Sequence, residues 1–422
     1  AGTHESAGIR FIQDDYPRAL AEARAKKLPI FVDTWAPWCH ACLSTKRTVF
    51  PDPRLAPMAE RFVWLSLDTE KPENAFFLEK YPQKVWPTLT ILDPMSEEPL
   101  LRSLGSPTVE ELLALLEDGL RAWDGEMKGP EARLAEAHRL HALGRAEEAA
   151  VAFEQALADA PANWPGRPRA VLGLLAAQRY GLGAMEACAE TARRELSKLP
   201  ANGSRTKAAA LGLRCAADAS PANRALVAEL EAAVHQALDA PPPELSADDR
   251  SNLFELAANV RRRSGDDEGA KAIVRKWLDF LEAEAAKAES PEIRAIYDSH
   301  RLLASLHLDA PERTIAALQA SERAAPEDYN PPARLALVYH RLGRLDEALE
   351  ANERALAKVY GPRKARLLNE RGAILRDKGE REAARAAHAE ALEWAESLPL
   401  GQRPDWEIQR AKAALEAFGG SE

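Results

Sequence analysis

Gly343 and Gly379 lie 36 residues apart, and a set of small and apolar residues travels with them. Ala336, Tyr339, Ala348, Ala355 and Leu356 recur, shifted by the same interval, as Gly372, Leu375, Ala384, Ala391 and Leu392. An earlier copy over 131–161 carries Ala137, Gly144, Ala149, Phe153, Ala156 and Pro161. Weaker copies keep Ala258, Gly265 and Ala270, then Ala304 and Ala316 with Pro311 where the turn glycine belongs. Small residues let paired helices approach closely, and glycine supplies the turn between them. A unit of this length cannot bury its apolar face alone, so neighbours must stack. Residues 131–422 are therefore expected to form about seven helix pairs, closed by a final helix over 404–418.

The first 124 residues follow a different rule. Strand-like runs at 9–12, 28–34 and 62–67 alternate with helical patterns at 16–26, 40–50, 55–61 and 73–81. Runs at 88–92 and 100–104 read as a hairpin, and 109–122 as a closing helix. Alternation of this kind implies a layered α/β sheet domain. The Pro- and Gly-bearing stretch 125–130 reads as the linker between 1–124 and 131–422.

Bulk properties exclude several classes. A chain of 422 residues is too long for one ordinary core, and 46% hydrophobic content argues against global disorder. A formal charge of −10, with no basic cluster of note, argues against a nucleic-acid partner. No apolar run approaches the roughly 18 residues that a membrane span requires. The chain begins at Ala1, which leaves open the removal of a leader or anchor.

The chemistry concentrates in WAPWCHAC, residues 35–42, directly after the strand-like run 28–34. Cys39 and Cys42 stand two residues apart where a strand gives way to a helix. The first cysteine then sits at a helix N-terminus, whose unpaired N–H groups and dipole favour a thiolate. Such a pair can cycle between dithiol and disulfide without unfolding anything. A zinc site would need two further ligands at suitable spacing, and Cys188 and Cys215 offer no second CxxC. No metal and no cofactor are expected.

These residues, with TVFPDPRL after the motif helix and VWPT at 85–88, resemble the thioredoxin superfamily. The likeness is to domains such as the C-terminal thioredoxin-like part of bacterial thiol:disulfide interchange proteins, and it covers under a third of the chain. It implies an α/β thioredoxin-like fold, a central mixed sheet with flanking helices. It also implies that Cys39 attacks, that Cys42 resolves, and that Pro87 is the cis-proline facing the pair. Asp33 matches the family's buried acid, whose raised pKa suits it to take the proton of Cys42. Two departures stand out: His40-Ala41 replaces the usual Gly-Pro between the cysteines, and Trp64 occupies about the position of a customary lysine. Residues 131–422 resemble tetratricopeptide repeats, an all-α superhelical solenoid whose concave face usually binds a peptide or protein.

Other residues carry two readings each. His40, when protonated, would stabilise the Cys39 thiolate; otherwise it faces solvent. Trp38 and Trp86 either form an apolar rim that grips a peptide or simply pack. Cys188 and Cys215 are equidistant from the centre of the loop between their helices, which permits a structural disulfide; both could equally be buried thiols. His138, His141, His300, His307 and His388 are expected at the surface or in the groove.

The sequence thus points to a thiol:disulfide oxidoreductase acting on protein cysteines, with electron direction open. Its repeat array would dock a client or redox partner in its groove and raise the local concentration. The expected location is periplasmic or exported, with a cytoplasmic reductase as the nearest rival. An adaptor or assembly scaffold, with the array as its main working part, is the alternative from another class.

Overall fold

The computed structural model describes residues 8–220 and 223–419. The domain limits at 1 and 422 therefore fall outside the described residues. The chain forms two compact units, one of residues 1–67 with 80–273, the other of 68–79 with 274–422.

In the first unit five strands form one sheet in the order β1-β3-β2-β4-β5. They are β1 (Phe11–Gln13), β2 (Ile30–Trp35), β3 (Val63–Asp68), β4 (Thr88–Leu92) and β5 (Pro99–Leu104). β1 runs parallel to β3, whereas β2 with β4 and β4 with β5 are antiparallel, so the sheet is mixed. Helix α1 (Tyr16–Lys26) starts on the Asp15 side chain, which accepts from the Arg18 N–H. It ends where Lys27 takes φ +54° and Leu28 donates back to the Ala23 carbonyl. That closing turn delays β2 to Ile30.

Helix α2 (His40–Ser44) is shorter than the spacing predicts, because Thr45–Val49 widens into a π turn. Pro53–Met58 is 3-10 rather than α-helical, in keeping with prolines at 53 and 57 that lack the N–H a helix needs. Helix α3 (Ala75–Lys80) falls, but for its last residue, in segment 68–79 of the second unit, while α4 (Val109–Trp123) completes this region. α4 opens on a reciprocal capping box between Thr108 and Glu111. Phe31, Phe50, Phe62 and Trp64 fill the core beneath it, the rings of Phe31 and Trp64 lying 4.7 Å apart. Trp64 is thus a core residue, 2% exposed.

From Pro130 onward the described residues are helical. The first unit holds α5 (Pro130–Ala142), α6 (Ala146–Asp159), α7 (Arg167–Ala176), α8 (Met185–Leu196), α9 (Gly203–Asp218), α10 (Arg224–Asp239) and α11 (Ala247–Arg263). Helix α12 (Asp267–Lys287) crosses the division at 273. Consecutive helices pair around a shared core that includes Phe153, Leu174, Leu213 and Leu230.

The second unit holds α13 (Pro291–Ala295), α14 (Asp298–His307), α15 (Ile315–Ala324), α16 (Asn330–Arg341), α17 (Leu345–Leu356), α18 (Pro362–Asp377), α19 (Arg381–Ser397) and α20 (Asp405–Gly419). The turn glycines Gly144, Gly265, Gly343 and Gly379 all adopt positive φ, between +70° and +87°. Before Pro311, Asp309 (φ +54°) takes the left-handed conformation instead. Segment 68–79 belongs to this unit, where Gln402 donates 2.8 Å hydrogen bonds to the carbonyls of Thr69 and Lys71. No helix among the described residues is long and apolar enough to cross a membrane.

Candidate functional site

Strand β2 ends at Trp35, and the turn 36–38 delivers Cys39 to the N-cap of α2. The Cys39 sulfur accepts the Cys42 backbone N–H at 3.0 Å, so it fills one of the orphan donors of the helix terminus. The two sulfurs are joined in a disulfide, with Cα atoms 5.2 Å apart. Cys39 keeps 4% of its surface and Cys42 is fully packed beneath it. Trp35, Trp38, Ala41 and Trp86 close around the pair. The rings of Trp38 and Trp86 lie 5.5 Å apart, and the Trp86–Pro87 peptide bond is cis.

Asp33, two residues before the end of β2, is 1% exposed. Burial raises its pKa; the Lys46 ammonium and the Ser66 hydroxyl pull the other way. Ser66 donates to Asp33 Oδ2 at 3.1 Å, Lys46 Nζ stands 3.5 Å from the same oxygen, and Lys46 donates to Ser66 Oγ at 2.8 Å. Lys46 also lies 3.6 Å over the Trp35 ring. This ammonium comes from the π turn Thr45–Val49 that continues α2. Its signal in the sequence was its place four residues after Cys42, on the same helical face.

The helical array faces the site within the same unit. α5 and α7 pack on β5, and α11 packs on α2. A cleft of about 430 Å³ opens between them, walled on one side by Trp38, Cys39, His40 and Trp86. His138, Arg169, Lys207 and Leu253 line the opposite side. His40 Nδ1 meets Asp248 Oδ1 at 2.7 Å, and Asp248 is buried in the first turn of α11. His40, one of the two residues between the cysteines, is thereby tied to a helix of the array, rather than facing solvent. No local sequence pattern marks Asp248 as its partner.

His138 and His141 are buried in the wall of the cleft, within the groove reading, whereas His300 and His388 are buried and do not line it, which corrects the surface-or-groove reading for those two. Burial, reinforced by the nearby Arg102 charge, pushes His138 and His141 down to about 3, so both rings are neutral at physiological pH. Cys188 and Cys215 lie apart from the cleft. They bridge α8 and α9, with Cα atoms 5.9 Å apart and no exposed surface.

Residues 11–94 match the sequence profile of a family described as thioredoxin-like. Over 87 residues the chain is 30% identical to the thiol:disulfide interchange protein DsbD of Pseudoalteromonas atlantica. That stretch is 20% of this chain and only 15% of the relative. Among solved structures, a tetratricopeptide repeat protein from Parabacteroides merdae superposes with a TM-score of 0.44 at 13% identity. It covers 67% of this chain and 98% of its own. The thermophilic TPR protein TTC0263 of Thermus thermophilus gives a TM-score of 0.28 at 19% identity, over 59% of this chain and 99% of its own.

The contact at His40 yields a prediction. A carboxylate at Nδ1 favours a protonated ring, and a protonated ring beside Cys39 favours the thiolate. Asp248→Asn in the reduced protein is expected to slow alkylation of Cys39 by iodoacetamide at pH 6 severalfold. An unchanged rate would remove Asp248 from the thiol's electrostatics.

Proposed function

We propose that this protein is a thiol:disulfide oxidoreductase for protein cysteines, with its helical array serving as the client-docking part. The observation that carries the reading is Cys39 at the N-cap of α2, at the wall of a cleft. The relative named a thiol:disulfide interchange protein supports it.

In the reducing direction the Cys39 thiolate attacks a client disulfide. One client sulfur leaves, and a mixed disulfide forms. Asp33 then takes the proton of Cys42, whose sulfur attacks Cys39 Sγ and releases the second client sulfur. Two electrons pass to the client, and the pair ends as the Cys39–Cys42 disulfide. Oxidation of a client runs the same steps backwards. Pro87, Trp38, Trp86 and His40 contact the client in this reading, and a periplasmic or exported location suits it.

Cys42→Ser leaves the attacking thiol and removes the resolving one. Expressed in cells, it is expected to accumulate covalent client adducts that dithiothreitol releases. The double variant Cys39→Ser/Cys42→Ser is expected to accumulate none. Adducts absent from the single variant, or equally abundant in the double, would refute the proposal.

A further inference from the structure

Arg102 stands out in the wall of the cleft. It sits in β5 within the run LLRSL, 4% exposed, and no carboxylate pairs with it among the described residues. Its Nη1 donates to the His141 carbonyl at 3.1 Å and its Nη2 to the Pro82 carbonyl at 2.8 Å. Its Nε is buried without a hydrogen-bond partner. Burial alone lowers this guanidinium to about 10, so it remains charged at neutral pH. The two imidazoles beside it are neutral and compensate nothing.

Arg169, also in the cleft wall, pairs with Asp118 through Nη2 and leaves Nε and Nη1 unpartnered. Lys207 is paired with Glu111. The walls therefore present surplus buried N–H donors and one unpaired buried cation. A buried charge without a partner is costly, and a carboxylate entering the cleft would offset that cost through a charge-assisted hydrogen bond. A volume of about 430 Å³ suits a few residues of extended chain rather than a folded domain.

We propose that the cleft receives the client segment around its reacting cysteine, and that Arg102 selects segments carrying a carboxylate near the sulfur. This rests on the oxidoreductase reading above. The protein's charge of −10 repels acidic peptides at long range, so a preference for them must arise locally.

The test uses the full chain, reduced with dithiothreitol that is then removed, in a single turnover. Its substrates are two hexapeptides, each with one cysteine joined to 2-thiopyridine, differing only in an aspartate or an asparagine beside that cysteine. Attack breaks the peptide–pyridine disulfide. The cysteine pair gives up two electrons and its two protons, and the peptide thiol and the absorbing thione are released.

The wild type is expected to react about tenfold faster with the acidic peptide. In Arg102→Gln the ratio is expected to fall to within about twofold of unity, a comparison that cancels any general loss of activity. Should that variant not fold, Arg102→Lys replaces it. Loss of the Nε donor there is expected to lower the ratio severalfold. Equal rates in the wild type, or an undiminished ratio in the variants, overturn the assignment. So does faster reduction of glutathione disulfide than of either peptide, which would make the occupant a low-molecular-weight disulfide. Failure to react with any disulfide refutes the oxidoreductase reading instead.

Discussion

Asparagine at position 33 is expected to stabilise the folded protein increasingly as pH rises, while it slows release of the mixed disulfide. Asp33 is buried in the face of β2 that also holds Phe31, and desolvation raises its pKa against the pull of Lys46 and Ser66. A raised folded-state pKa means that the folded state holds a proton that the unfolded state has already lost. Stability from this group is complete below the unfolded carboxyl value, near pH 4, and is lost as pH rises through the folded value. The slope inside that window is about 1.4 kcal/mol per pH unit. Asparagine keeps a partner for the Ser66 hydroxyl and never ionises, so the variant lacks this decline. Urea midpoints of the oxidised proteins between pH 4 and 8 measure the difference. A gap that does not widen with pH would show that Asp33 is not shifted.

The catalytic half of this prediction has the opposite sign. In the proposed mechanism Asp33 takes the Cys42 proton; with asparagine there the proton must go to water, and the mixed disulfide should persist about a hundredfold longer or more. Attack by Cys39 does not use Asp33, so formation of the mixed disulfide should keep its rate. Acid quenching with a peptide disulfide separates the two steps. A lifetime equal to that of the wild type would remove Asp33 from the mechanism.

What could be read from the sequence was whatever local spacing encodes. Helix α1 begins and ends as its pattern predicts, because Asp15 and Lys27 fix both ends within a few residues of chain. The turn glycines were visible for the same reason, each being needed by the backbone at its own position. The cysteine pair and the proline at 87 follow from short motifs. The π turn at Thr45–Val49 was hidden, since an amphipathic pattern does not distinguish it from another turn of α-helix. Lys46 reaches Asp33 because of where that turn places it. His40 with Asp248, and Arg102 with the His141 carbonyl, are paired across 208 and 39 residues. No periodicity records such pairs. Arg102 left one faint trace, a charge inside an apolar strand, whose meaning appears only once α5 covers it.

The second disulfide should behave as the opposite of the first. Cys188 and Cys215 are separated by 27 residues, and closing a loop of that size lowers the entropy of the unfolded chain. By the loop-entropy argument this contributes about 3–4 kcal/mol. Both sulfurs lie in the core of the first unit with no exposed surface. Cys39, by contrast, lines the cleft and spans only three residues to its partner.

Mild dithiothreitol at neutral pH is therefore expected to open Cys39–Cys42 within minutes and to leave Cys188–Cys215 closed until the helices part. Alkylation followed by mass spectrometry of the two peptides reads both rates. Cys188→Ala/Cys215→Ala should lower the transition of the first unit by about 3 kcal/mol or more, because lost packing against the Phe153 and Leu213 cluster adds to the entropic term. Equal reduction rates, or an unchanged transition, would overturn this division of roles. A bond that contributes so much stability does so only where thiols stay oxidised. A large loss on reduction would thus support an exported location by physical means independent of any relative.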